Sequence, residues 1–214
     1  MTRIAVIDYD MGNLHSACKG LEKAGGVPVV TDRVEDLRSA DGVVLPGVGA
    51  FDPAMRHLRD RDLVTPIQDI VASGKPFLGI CVGLQVLFEG SEEGQEPGLG
   101  IIPGRVREFK PEPGITIPHM GWNQLKLTQP DSPLWNQVKT GDWVYFVHSY
   151  YPEPTNPDAV AATITHGSQT VAAAVVQDNV MAVQFHPEKS STIGMQILSN
   201  FVVAIQQKSP VLSR

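Results

Sequence analysis

Cysteine is nearly absent from this chain: Cys18 and Cys81 are the only two among 214 residues, far apart and in no Cys-x-x-Cys pattern. That scarcity excludes a disulfide scaffold and a zinc knuckle as organising devices. The six histidines form no His-x-x-x-His pair, so no metal is expected, and nothing else in the sequence calls for a cofactor. Positive charge is in short supply: 17 Lys and Arg face 23 Asp and Glu, the net charge is -6, and the basic residues are scattered. Nucleic acid is therefore not an expected partner. No apolar run approaches the length of a spanning helix, so no membrane attachment is expected either. A buried-strand pattern, "RIAVIDYD", begins at residue 3 and leaves no room for a signal peptide, which sets the expectation of a cytoplasmic protein.

What the chain does have is the ordinary make-up of a globular protein, 42% hydrophobic and 19% charged. Its length suits one sizeable core. Through the first ninety positions short apolar runs alternate with helical patterns: "IAVID" (4 to 8), a helix near 13 to 24, "VPVV", "GVVLPG", helical stretches near 51 to 73, "KPFLGI", and a helix from about 82. Such alternation predicts a parallel sheet with helices on both faces. The acidic, Gly-rich "EGSEEGQEPGLG" reads as an exposed loop, followed by small antiparallel strands near 101 to 127. Further strands are expected in "DWVYFVHSYY", "AVAATITHG", "QTVAAAVVQ" and "NVMAVQFH", and a closing helix over 191 to about 206 with Ile193, Ile197, Phe201 and Ala204 on one face. No repeat, low-complexity segment or linker divides the sequence. The expectation is a single α/β domain over 1–214, three layers α/β/α, with a mostly parallel central sheet and a small antiparallel portion.

The two cysteines sit in different surroundings. Leu14, Ala17, Cys18 and Leu21 follow helical spacing, which puts Cys18 on the apolar stripe of an amphipathic helix. Cys81 lies in "FLGICVGLQ", where Gly79-Ile80-Cys81-Val82-Gly83 has the Gly-x-Nuc-x-Gly form of a nucleophile elbow, with a strand before it and a helix after. Glycines on either side let strand and helix pack closely behind an exposed nucleophile, and the helix amides that follow favour a thiolate. Taken alone the pattern is equally compatible with a small buried thiol, so a base is needed.

His186 supplies one candidate. In "AVQFHPEKS" it ends an apolar strand pattern, with Glu188 two positions on and therefore on the same side of an extended chain. Pro187 holds His186 in the extended region. The trio would act as nucleophile, general base and orienting carboxylate. Donors for an oxyanion are expected from the amide of Val82 and from the strand end "LPGVGAF", where Gly47 and Gly49 flank Val48. The same glycines also suit a plain tight turn; a dinucleotide-type loop is excluded because position 52 is Asp. Gln85, one turn past Cys81, faces the same way.

With Gly-x-Cys-x-Gly-x-Gln, a later His-x-Glu and "PGVGAF" together, the sequence resembles the class I, triad-type glutamine amidotransferases. The segments "DYDMGN", "PGVGAFDPAM", "PHMGWN", "YFVHSYY" and "FHPEKS" narrow the likeness to glutaminase subunits of imidazole glycerol phosphate synthase, from residue 3 to about 206. One departure is visible: Asp10 stands where members often have glycine. The resemblance implies hydrolysis of L-glutamine through a thioester on Cys81 and delivery of ammonia to a (β/α)₈ cyclase subunit in a heterodimer of histidine biosynthesis. It further implies that Gly49, Gln85, Tyr145, Ser149 and Tyr150 hold the substrate, and that Asn13, Met120, Trp122, Asn123 and Lys189 face the cyclase. Trp122 is alternatively a core residue. Competing expectations are the glutaminase subunit of pyridoxal phosphate synthase, a stand-alone Cys hydrolase of elbow type, and a flavodoxin-like binding module with an inert Cys81.

Overall fold

The computed structural model describes residues 1–208. Its first half alternates strand and helix: β1 (Arg3–Ile7), α1 (Leu14–Lys23), β2 (Val27–Thr31), α2 (Val34–Ser39), β3 (Gly42–Gly47), α3 (Phe51–Asp60), α4 (Val64–Ala72), β4 (Phe77–Cys81) and α5 (Val82–Gln85). The second half is mostly strand: β5 (Gly104–Glu108), β6 (His119–Gln124), β7 (Lys126–Leu127), β8 (Trp143–His148), β9 (Tyr150–Pro154), β10 (Val160–His166), β11 (Gln169–Gln177) and β12 (Val180–Val183), closed by α6 (Ser191–Lys208).

The main sheet runs β2-β1-β3-β4-β12-β11-β10-β7. Its first five strands are parallel and the last three pair antiparallel. Central β3, β4 and β12 are buried at every position, which is why they read as unbroken apolar runs. Edge strand β2 tolerates Pro28, whose missing N–H would break a ladder further in. Two small antiparallel pairs, β5 with β9 and β6 with β8, stand apart from this sheet.

The step from β1 to β2 runs along the sheet in the opposite sense to the steps onward to β3 and β4. With right-handed crossovers this puts helices on both faces. Helix α1 packs against α6, and α2 against α4. Strand order reverses between β1 and β3, so the loops after these two strands flank the crevice where such sheets bind ligands, with Cys81 on the next strand over.

Four local features differ from the sequence expectation. Helix α2 is too short for its period to show in the sequence. The helix after Cys81 is one turn only, Val82–Gln85, after which bends lead into the 90 to 100 segment. That segment is not simply exposed: Gly90, Ser91 and Leu99 are buried and Glu93 is half-buried. The run "DWVYFVHSYY" is two strands, because Ser149 breaks it and its halves pair with different partners.

Asp10 takes a left-handed conformation at φ 65, which Asp adopts more readily than most residues. Its carboxylate bonds Arg61, at the end of α3, and Arg61 reaches Asp32 at 3.2 Å. The bond to Arg61 holds the Asp10 carboxyl below its usual range. Tied in this way, the turn after β1 keeps its course without glycine.

Candidate active site

Gly47, Gly79 and Gly83 allow β3, β4 and α5 to meet more closely than side chains permit. A Cβ on Gly83 would lie 1.9 Å from the Leu45 carbonyl oxygen, and one on Gly79 would lie 2.8 Å from that of Gly83. This contact forces the sharp bend at Cys81, which has φ 56 and ψ -114. A non-glycine residue in that region is strained and marks a functional constraint. Cys81 ends β4 in register with Gly47 at the end of β3. The thiol is buried but lines a cavity of about 160 Å³ with Gly49, Val82, Gln85, Glu93, Pro118, Val147, His148, Ser149 and Tyr150. Its size is well under the roughly 300–1,000 Å³ of a drug-sized ligand site and suits one small metabolite.

His186 arrives from the end of β12. Pro187 opens a single 3₁₀ turn, Pro187–Lys189, that brings Glu188 back beneath the imidazole. Nδ1 of His186 lies 2.8 Å from Glu188 Oε1, with the two side chains 2% and 3% exposed. The other ring nitrogen is left free for Cys81, which lies close enough to influence the charge of the imidazole. Burial opposes a charge on His186, but Cys81 and Glu188 outweigh it and raise the imidazole to about 9. Ser190 fixes the turn: its hydroxyl donates to the His186 carbonyl at 2.6 Å and accepts from the Tyr145 N–H at 2.9 Å.

Of the residues expected to hold substrate, Gly49, Gln85, Ser149 and Tyr150 line the cavity and Tyr145 does not. Tyr145 lies two residues further from the cavity along β8 than Val147, and its ring meets Trp122 on the neighbouring strand. Of the expected oxyanion donors, Val82 borders the cavity, whereas Val48 lines a narrow cleft behind it with Asn13, His186 and Glu188. Asn13 also caps α1, accepting from Ser16 N–H. Met120 and Trp122 point outward, 63% and 48% exposed, so Trp122 is not core. Lys189 is exposed as well. Asn123 turns the other way, because alternate residues of a strand face opposite sides; its amide donates to Thr165 O at 3.0 Å.

Two residues of the site escaped the sequence reading. Glu93 sits in the acidic loop, and its carboxylate accepts the Phe51 N–H at 2.8 Å, tying the cavity wall to the start of α3. Burial, its largest influence, raises the Glu93 carboxyl. No local pattern distinguishes it from Glu92 next door. Gln184 is fully buried, with its side-chain nitrogen 3.8 Å from Cys81 Sγ. Here a signal existed, since Gln184 precedes His186 by two and extended spacing puts both on one side.

A larger groove of about 580 Å³ lies at the opposite end of β4 and β12. Asp178 is the one ionisable residue lining it, so no nucleophile stands there with a base beside it. Among the described residues no group of His, Cys, Asp or Glu could hold a metal ion, and no helix is long and apolar enough to cross a membrane.

Known proteins resemble this chain in sequence and in fold. Residues 5–205 match the family model described as glutamine amidotransferase class-I. The chain is 71% identical over 206 residues to a protein of Acaryochloris marina (strain MBIC 11017) named imidazole glycerol phosphate synthase subunit HisH, covering 96% of each. It is also 71% identical over 212 residues to the protein of that name from Cyanothece sp. (strain PCC 7425 / ATCC 29141), covering 99% of this chain and 100% of the other. Two solved structures share the fold. A crystal structure of a glutamine amidotransferase superposes with TM-score 0.72 at 17% identity, over 95% of this chain and 98% of that one. A structure of PurLQS from Thermotoga maritima gives 0.70 at 22% identity, over 96% and 97%.

Proposed function

Since the chain belongs to the class-I glutamine amidotransferase family, we propose that it is the glutaminase subunit of an imidazole glycerol phosphate synthase. It hydrolyses L-glutamine to glutamate and ammonia and passes the ammonia to a (β/α)₈ cyclase subunit for histidine biosynthesis. The observation that carries this is the buried His186–Glu188 hydrogen bond beside Cys81, whose thiol lines a cavity sized for one small metabolite.

Cys81 Sγ adds to the side-chain amide carbon of glutamine while His186 accepts the thiol proton. The negative charge on the former carbonyl oxygen falls to the amide of Val82, the expected donor that borders the cavity. Collapse of this adduct breaks the C–N bond, and His186 hands its proton to the departing nitrogen, leaving a thioester. Water, deprotonated by His186, then attacks the thioester and releases glutamate and the free thiol. Glu188 keeps the imidazole in the correct tautomer throughout.

In the cavity, Glu93 is the one carboxylate available to the α-ammonium of glutamine. Gly49 and the backbone at Ser149 and Tyr150 enclose the chain of the substrate. The exposed Met120 and Trp122, with Lys189 and Asn13, form the side toward the cyclase, and Trp122 has the size and exposure of an interface anchor. The relatives' names, which call each a synthase subunit, support a second chain. Two free cysteines fit a reducing cytoplasm.

The decisive test is Cys81→Ser in the complex with the cyclase. Glutamine-dependent turnover should vanish while ammonia-dependent turnover persists; loss of both would make Cys81 a structural residue.

A further inference from the structure

Gln184 touches the nucleophile, and the hydrogen bonds around it dictate which end of its amide does so. The direction can be read from a group with no ambiguity, the Tyr150 carbonyl, which only accepts. Gln85 reaches this oxygen at 3.3 Å, and its amide must therefore present the NH₂ end. The same NH₂ lies 3.1 Å from the Gln184 side chain, which must answer with its oxygen. The Gln184 NH₂ is thereby left facing Cys81 Sγ at 3.8 Å.

The anchor of this chain is itself held. His148 approaches the Tyr150 carbonyl at 2.8 Å through Nδ1, so Nδ1 carries the proton and Nε2 accepts. His119 Nδ1 lies 3.0 Å from that Nε2 and must donate, and its own Nε2 accepts from Asn123 at 3.3 Å. Burial holds both rings neutral, pushing His119 to about 4 and His148 to about 3. Every donor in the line from Asn123 to Cys81 meets only acceptors, and reversing any amide would set two NH₂ groups or two acceptors against each other.

We propose that Gln184 is a further catalytic residue, an amide donor aimed at the sulfur of Cys81 and oriented by Gln85, Tyr150 and the His148–His119 pair. A donated N–H stabilises sulfur most when it carries negative charge, as it does at the moment of attack and again when the thioester is cleaved. Gln184 thus acts on the sulfur itself, a charge separate from the oxyanion. The proposal rests on Cys81 being the nucleophile.

The test compares the full-length protein with Gln184→Leu, which removes the donor at similar volume, and with Gln184→Glu. The latter keeps the shape and the bond from Gln85, so it serves if the leucine variant folds badly. Alkylation of Cys81 by iodoacetamide at fixed neutral pH, followed peptide by peptide, should slow roughly tenfold or more in both variants, while Cys18 reacts at its wild-type rate. With glutamine and the cyclase present, kcat should fall by a similar factor and KM stay within about threefold. Wild-type alkylation rates at Cys81 in both variants would overturn the proposal. Failure of wild-type Cys81 to react at all would instead remove the nucleophile beneath it.

Discussion

His186 Nδ1 and Glu188 Oε1 meet at 2.8 Å inside one 3₁₀ turn, sealed from solvent and two residues apart in sequence. Glu188 Oε2 has no hydrogen-bond partner among the described residues, so the carboxylate is committed to the imidazole. Glu188→Gln should leave the fold and KM nearly intact but lower kcat by roughly 10²–10⁴, because the orienting carboxylate governs both tautomer and charge of the base. Steady-state glutaminase kinetics in the complex checks this, and a loss under threefold would contradict it.

The raised His186 pKa makes a prediction about pH. Its unfolded value is about 6.5 and its folded value about 9. The folded state therefore binds the proton more tightly, and the stabilisation is fully present below about 6.5 and lost as pH rises through about 9. His119 and His148 have the opposite sign. Their folded values of about 4 and 3 mean that the unfolded chain takes up protons first, so stability falls as pH drops below about 6.5. Thermal midpoints should peak near pH 6.5 to 7. His186→Asn should flatten the alkaline limb, and His119→Asn should flatten part of the acidic one.

Glu93 is predicted to bind rather than to react. Glu93→Gln retains an acceptor for Phe51 N–H but removes the charge facing the α-ammonium, so KM for glutamine should rise about tenfold or more with kcat changed by less than about threefold. An unchanged KM would place the ammonium elsewhere.

Gly83 is the packing point of the elbow. Gly83→Ala puts a Cβ 1.9 Å from the Leu45 oxygen, an approach relieved only by moving backbone. Destabilisation of about 3 kcal/mol or more is expected by denaturant titration, together with loss of activity as Cys81 shifts.

Trp122→Ala should weaken binding to the cyclase by about tenfold to a hundredfold in titration calorimetry. The thermal midpoint of the free chain should change little, since this side chain is exposed.

Much of this protein was legible in one dimension. Fully buried parallel strands must be apolar throughout, so the strands at 4 to 8, 42 to 47 and 77 to 80 announced themselves, as did the long amphipathic α6. The elbow and His186–Glu188 were legible because their geometry is local: a bend that only small flanking residues permit, and two residues close together in sequence, though a 3₁₀ turn and not the expected extended spacing closes the pair. Beyond that reach the sequence was silent. Glu93 lies in a polar loop, and only the packing of that loop onto the start of α3 brings it to Cys81. Ser149 reads as mid-strand, yet its two halves pair with different strands and leave it as a cavity wall. Gln184 was in the right period but meant nothing until Tyr150, from a strand far along the chain, fixed which way its amide points. Residue type and spacing determined the chemistry available to this chain; long-range packing alone decided which groups surround the sulfur, because distance in space is set by the order of strands in the sheet and not by position along the sequence.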